Sequence, residues 1–356
     1  MTYSNNKDTS RLGVLDSLRG LAALGVVLHH FIFVYGIKYG YGATKYSAEW
    51  LEVSLGRYGV ELFFIISGFV ISLTLEKGRN ITEFAISRFS KLFPTYWFCL
   101  AFTSLVLYFF RGSNFFDSDQ FLFNLTMAPQ FFWREPIDGS YWTLMYELFF
   151  YFIIAIMFGK SGKITIKPLV ITFMVFVLFT LINFIYPMHV KLQYLLLFPH
   201  LHLFWAGIVF YKMWEYKKDF NNISLTASSC FIYLLLLFQW LMCLFEINRV
   251  NLISSSLISL YFLLFYLFIN KKLEFLENRI FIKLGAISYS LYLIHQEVGY
   301  VIIESVYSYS HSIIISVLIA TLVSIGIALI INRYVENTTN RICKKQLLRL
   351  VSFKGN

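Results

Sequence analysis

Of 356 residues, 58% are hydrophobic, 20% aromatic and only 14% charged, with a mean hydropathy of +0.65. A soluble globule carries about 25% charge, so soluble, disordered, coiled-coil and secreted disulfide-scaffold classes are excluded. The fold class expected is all-α: a polytopic membrane protein of about ten transmembrane helices, both termini cytoplasmic, whose +10 formal charge sits in the connections and implies no nucleic-acid partner.

One crossing needs about 20 apolar residues. In chain order the candidates are Leu12–Val34, Tyr58–Leu75, Leu92–Phe110, Tyr141–Phe158, Ile166–Tyr186, Tyr194–Met213, Leu225–Phe245, Leu252–Ile269, Phe281–Val301 and Ile313–Asn332. Counted over alternating connections, 22 Lys and Arg fall on the side of the termini and 7 on the other, while Arg19 lies inside the first span. That bias sets the orientation. Residues 1–10 read as a polar cytoplasmic tail, 11–335 as the membrane domain and 336–356 as a basic tail (Arg341, Lys344, Lys345, Arg349) lying on anionic lipid. The first span serves as its own targeting signal. The two long outer connections are 35–57 and 111–139. The second, with Asp117, Asp119, Glu135, Asp138, Phe131, Phe132 and Trp133, reads as a lid or half-inserted segment. Cys99, Cys230, Cys243 and Cys343 have no metal or redox spacing and read as reduced; no metal site is expected.

Ionisable groups at membrane depth are costly, which makes each a functional candidate. The first span, LDSLRGLAALGVVLHHF, carries Asp16, Arg19, His29 and His30. Arg19 and His30 fall about 20° apart on one helix stripe and about 16 Å apart along the axis. His29 lies about 80° away, so His30 is the better partner. The plain alternative is a structural Arg19 capped by Asp16, with the histidines hydrogen-bonded to neighbouring helices. In the second span, GVELFFIISGF, Ser67 and Gly68 suit close helix approach, and Ser67 reads as a donor lining a cavity. Arg88 and Lys91, three apart in SRFSKLFPTYW, are either anchors at the cytoplasmic mouth or a phosphate clamp. Glu147 in SYWTLMYELFFYF is placed by depth beside His30, where a carboxylate would fix the imidazole tautomer. The ninth span, LGAISYSLYLIHQEV, adds Ser288, Tyr289 and His295, with Glu297 close by; His200 and His202 stand in the outer third of the sixth.

Taken together, these segments resemble the acyltransferase type 3 family of integral membrane acyltransferases, a family that includes bacterial enzymes O-acetylating O-antigen, exopolysaccharide, peptidoglycan and nodulation-factor sugars. The resemblance runs from about Leu15 to Glu336. Its strongest part is LDSLRGLAALGVVLHH, where Arg19 and His30 match the family's Arg-x10-His pattern; GVELFFIISGF, SRFSKLFPTYW, SYWTLMYELFFY and LGAISYSLYLIH come after it in the family's order. The resemblance implies acetyl-CoA as donor substrate with no permanently bound cofactor. It also implies His30 as the catalytic imidazole, Arg19 as its partner and Arg88 as part of a cytoplasmic basic motif. Three positions depart from the family: Lys91 replaces a second Arg, Thr143 a Ser, and no proline follows Glu336.

The expected function is transfer of an acyl group, acetyl being expected, from cytoplasmic acyl-CoA to a hydroxyl of a cell-surface polysaccharide or lipid-linked sugar, in a bacterial inner membrane. His30, oriented by Glu147, acts as base or nucleophile. Arg88, Lys91 and Arg19 face the CoA phosphates, and Ser67, Tyr146 or Tyr289 donates to the oxyanion, with Asp16 and His295 in support. A transporter or flippase for a lipid-linked sugar or small acid is the alternative.

Overall fold

The computed structural model describes residues 6–40, 54–75, 80–112, 115–158, 165–186, 200–218, 222–245 and 248–353. Most of the 35–57 connection, the start of the expected sixth span at 194–199, and Lys77, Lys160, Lys163 and Lys191 lie outside them. Among the described residues the chain is helical with no strand.

Eleven helices of seventeen residues or more succeed one another: α1 (Asn6–His29), α2 (Gly59–Leu75), α3 (Ile81–Arg111), α4 (Trp142–Phe158), α5 (Ile166–Ile185), α6 (Leu201–Lys218), α7 (Asn222–Phe245), α8 (Arg249–Ile269), α9 (Arg279–Ser310), α10 (Ile313–Ile331) and α11 (Asn337–Phe353). The first ten stand where the ten spans are expected. Eight stretches are long and apolar enough to cross a bilayer, and the chain is an all-α polytopic membrane protein. α6 falls outside the eight because its eighteen described residues include Lys212, Glu215, Lys217 and Lys218, and α9 because it carries polar groups inward, Ser288, Ser290, His295, Gln296 and Glu297, all buried. α3 begins eleven residues before the expected Leu92, so Arg88 and Lys91 lie within a helix rather than ahead of one. α1 starts at Asn6, inside the expected polar tail, and the basic tail is itself helical as α11.

Two helices are interrupted by π turns that do not end them. One, His30–Val34, joins α1 to a further helical turn, Tyr35–Tyr39. The other, Asn332–Glu336, joins α10 to α11. A π turn inserts one residue into the helical ladder, and such insertions recur at functional sites.

By contacts the chain divides into two compact units. Unit 1 comprises 1–59, 85–145 and 276–356, and unit 2 comprises 60–84 and 146–275. In unit 1, α1 and α9 touch backbone to backbone: a Cβ on Gly20 would lie 2.3 Å from the Phe281 carbonyl oxygen, and one on Gly285 2.0 Å from that of Asp16. In unit 2, Gly68 and Gly207 do the same for α2 and α6, with Cβ positions 2.1 Å from the Phe204 oxygen and 2.0 Å from the Ile65 oxygen. Close approach of this kind is what small residues at helix interfaces permit.

Candidate active site

The α1–α9 contact at Gly20 and Gly285 recurs ten residues further along both helices, at His30 and His295. The two helices therefore run parallel. His30 Nδ1 lies 2.8 Å from His295 Nε2, and His295 Nδ1 lies 2.9 Å from the carbonyl oxygen of Tyr292. A carbonyl only accepts, so His295 Nδ1 carries a proton. Neutral His295 then presents Nε2 as an acceptor, His30 Nδ1–H must donate to it, and His30 is left with an unprotonated Nε2. This tautomer is assigned from the hydrogen-bond network. Nε2 of His30 has no hydrogen-bond partner among the described residues. A basic lone pair with its opposite edge fixed is the arrangement a general base or nucleophile requires.

The turn that holds His295 is stapled from outside its helix. Asp138, fully buried, caps the short turn Gly139–Tyr141 by accepting from the Ser140 N–H and hydroxyl. Its other oxygen accepts from the Glu297 N–H at 3.0 Å. Burial raises the Asp138 carboxyl above its ordinary range, and the three donors oppose that. The Ser140 hydroxyl also lies 3.1 Å from Tyr292 O, the Tyr292 hydroxyl donates to Ser140 O at 2.7 Å, and Tyr141 donates to Leu293 O at 2.9 Å. Since the Tyr292 proton is used on Ser140, Thr143 Oγ1 at 2.7 Å is the donor to Tyr292 Oη. A serine at 143 would supply the same hydroxyl, so the Thr143 departure leaves this bond intact.

His29 points elsewhere. Its Nδ1 lies 2.9 Å from Ser54 Oγ, beside an open groove of about 350 Å3 lined by Gly25, Leu28, His29, Phe33 and Ser54. The adjacent histidines thus have separate partners, and His30 alone faces α9's imidazole.

At the Gly20 end of unit 1 lie the basic residues. Arg19 pairs with Asp16 at 3.8 Å, as the plain alternative for that arginine expects. Lys91 is close enough to act electrostatically on Asp16 as well, so Arg19, Asp16 and Lys91 are neighbours; Arg88 stands one turn before Lys91 on α3. Lys91 already has a counter-ion: Glu336 lies 3.3 Å away and is 2% exposed. The same carboxylate accepts from the Ser290 hydroxyl at 2.7 Å and the Asn332 amide at 2.9 Å. Tyr289, considered as an oxyanion donor, gives its hydroxyl proton to Leu92 O at 2.9 Å, in the turn of α3 that contains Pro94.

The remaining expected residues belong to unit 2. Glu147 accepts from the Tyr151 hydroxyl one turn along α4. Tyr146 is buried, its ring 6.4 Å from Phe64 and 5.6 Å from His200 between centroids. Ser67 is half-buried beside the Gly68 crossing. The hydrogen bond that fixes His30 is therefore made by His295, where sequence depth pointed to Glu147. From the sequence, Asp138 is read only as a residue of the 111–139 connection and Glu336 only as the boundary of the basic tail, and Tyr292 has no role. Only Asp138 had a local signal, an Asp-Gly-Ser start ahead of a helix. No group of three or more possible metal ligands occurs among the described residues.

The family model described as an acyltransferase domain, that of the type 3 acyltransferases, matches residues 12–333. The chain belongs to this family. It is a membrane acyltransferase, and the transporter alternative falls away. No curated protein and no solved structure matches the chain.

Proposed function

We propose that this acyltransferase moves an acetyl group from cytoplasmic acetyl-CoA to a hydroxyl of a surface polysaccharide or lipid-linked sugar, in a bacterial inner membrane. The observation that carries the reading is the Tyr292–His295–His30 relay, which leaves His30 Nε2 as a lone pair.

In this reading His30 Nε2 takes the proton of the acceptor hydroxyl as its oxygen attacks the thioester carbonyl. The C–S bond breaks as the tetrahedral intermediate collapses, and the imidazolium returns the proton to the departing thiolate, leaving ester and free CoA. Throughout, the Nδ1–H of His30 stays on His295 Nε2, so the ring does not turn between taking and returning the proton. His295 is a positioning residue and a local dipole for the transient cation.

The charge bias puts the Gly20 end on the cytoplasmic side. Arg19, Arg88 and Lys91 would there meet the CoA phosphates, exchanging Asp16 and Glu336 for phosphate oxygens. The pantetheine arm would cover the roughly 16 Å along α1 from Arg19 to His30. Membranes bearing the protein and radiolabelled acetyl-CoA are expected to transfer label to glycan. The label should vanish with His30→Ala at unchanged expression; labelling that survives the substitution overturns the assignment.

A further inference from the structure

The Tyr39 end of unit 1 holds a second polar cluster, separate from the histidine pair. Lys38 Nζ lies 2.9 Å from Glu297 Oε1. Arg111 Nη1 lies 2.9 and 2.8 Å from the two Glu304 oxygens, and its Nη2 donates to the Tyr39 hydroxyl at 3.1 Å. The rings of Tyr35, Tyr39 and Tyr300 pack together beside these pairs, centroids 4.8, 5.4 and 5.8 Å apart. Lys38 Nζ is 5.4 Å from the centroids of both Tyr39 and Tyr300.

As ion pairs the cluster is closed, two cations against two carboxylates. Among Lys38, Arg111, Glu297, Glu304 and Tyr300, three buried atoms remain unaccounted for, one of them the donor Arg111 Nε. Glu297 is 4% exposed, yet its Oε2 has no hydrogen-bond partner among the described residues; Tyr300 is 0% exposed, and its hydroxyl has none either. Buried polar atoms are almost always satisfied, so three orphans in one cluster call for a ligand. The cluster is open at Lys38, whose side chain is 42% exposed.

We propose that this cluster is the subsite for the acceptor, gripping hydroxyls that do not react; the proposal rests on the acyl-transfer reading above. A carboxylate oxygen can only accept, so the ligand must bring an O–H or N–H to Glu297 Oε2. The Tyr300 hydroxyl can meet a second hydroxyl in either role, Lys38 donates, and the tyrosine rings suit the C–H face of a pyranose. A phosphate or carboxylate oxygen brings no proton to Glu297 Oε2, and Lys38 and Arg111 already have Glu297 and Glu304 as counter-ions. The ligand class is therefore a neutral or amino sugar.

Position agrees with this. Glu297 is two residues past His295 on α9, about 3 Å along the axis and about 200° around it, so the two side chains leave different faces of the helix and are linked through the turn that follows Asp138. The Asp138 carboxylate that accepts from Glu297 N belongs to the same turn whose Ser140 reaches the Tyr292 carbonyl under His295. One turn thus fixes both the subsite and the imidazole pair.

The test uses the full chain in nanodiscs with His30→Ala, which stops turnover. Methyl α-glucoside, methyl α-glucosaminide and methyl α-glucuronoside are titrated against intrinsic fluorescence. The first two should bind saturably and the glucuronoside about tenfold or more weakly, since each lost or opposed polar contact is worth about a factor of ten. Adding Tyr300→Phe or Glu297→Gln should weaken the neutral sugar by about tenfold, with melting and gel filtration confirming that the variants are folded. Undiminished binding in both variants, preference for the glucuronoside, or no binding of any of the three overturns the subsite. Should the wild type turn over no acetyl-CoA while sugar binding still depends on Tyr300 and Glu297, the acyl-transfer reading falls and the subsite stands.

Discussion

In unit 1, Gly20 and Gly285 let α1 and α9 touch, and ten residues later the same two helices present His30 and His295. In unit 2, Gly68 and Gly207 let α2 and α6 touch, and the contacts around that crossing are aromatic. Phe69 meets Tyr211, Trp214 and Phe268 at 5.5, 6.1 and 5.6 Å, all edge to face. Phe173 sits edge-on to Trp205, Phe231 and Phe238 at 6.0, 5.4 and 5.6 Å. Helix approach through glycine is common to both units, and the use made of the approach differs. Ring edges against ring faces give the unit 2 crossing directional packing, and the buried Lys212 of α6 is paired within its own helix, with Glu215 at 2.6 Å. Unit 1 surrounds its crossing with donors and acceptors whose partners come from far along the chain: His30 with His295, Lys91 with Glu336, Asp138 with Glu297. A buried polar network of this kind is costly unless nearly every member is satisfied, and where it leaves a lone pair bare, as at His30 Nε2, the omission is chemically useful.

Substitutions at five positions sharpen or break that contrast. The largest effect is expected at His30: alanine should lower acyl transfer by about 10³-fold or more, read as acetate moved from labelled acetyl-CoA. Next comes His295, where leucine should cost about 100-fold, the loss typical of removing the group that orients an imidazole. Glutamine there keeps an acceptor for His30 Nδ1–H and should recover most of the rate. Equal loss in the two variants would reduce His295 to packing. Third, leucine at Gly20 and at Gly68 should each destabilise by about 1–3 kcal/mol, as overpacking does, seen as a lower melting temperature. Below that temperature the Gly20 variant should also lose rate, while the Gly68 variant keeps its rate per folded molecule. If both lose rate alike, the division of labour between the units is wrong. The smallest effect is expected at Thr143: serine should be neutral, and valine, which strands the Tyr292 oxygen, should cost about 1 kcal/mol of thermal stability.

Much of this fold is legible in the chain, because bilayer thickness sets helix length and apolar runs of that length are hard to mistake. The Arg19–His30 stripe is read from helix spacing alone, and α1 is helical as far as His29. What escaped was partner choice. Depth alone put Glu147 level with His30, but depth says nothing about which helices are neighbours, and His295 is 265 residues away in sequence. Tyr289 looked available until its proton was found on Leu92. Asp138 could be recognised as a cap, yet its second oxygen binds a backbone amide 159 residues later, which no local pattern reveals. Glu336 looked like a tail residue and proved to be the buried counter-ion of Lys91, because the chain passes through a π turn there without ending its helix.

The π turn at His30–Val34 makes α1 two segments with independent phase. Because the turn already takes up one extra residue, deleting one between Phe31 and Val34 would restore an ordinary ladder and leave Tyr35–Tyr39 near its present phase, with Lys38 still facing Glu297. Inserting a further residue that continues as regular helix would instead rotate Tyr35–Tyr39 by about 100° and carry Lys38 away from Glu297. Single-codon insertions at this spot are thus a route by which descendants of the chain could retune what docks against the catalytic ring without disturbing the ring itself.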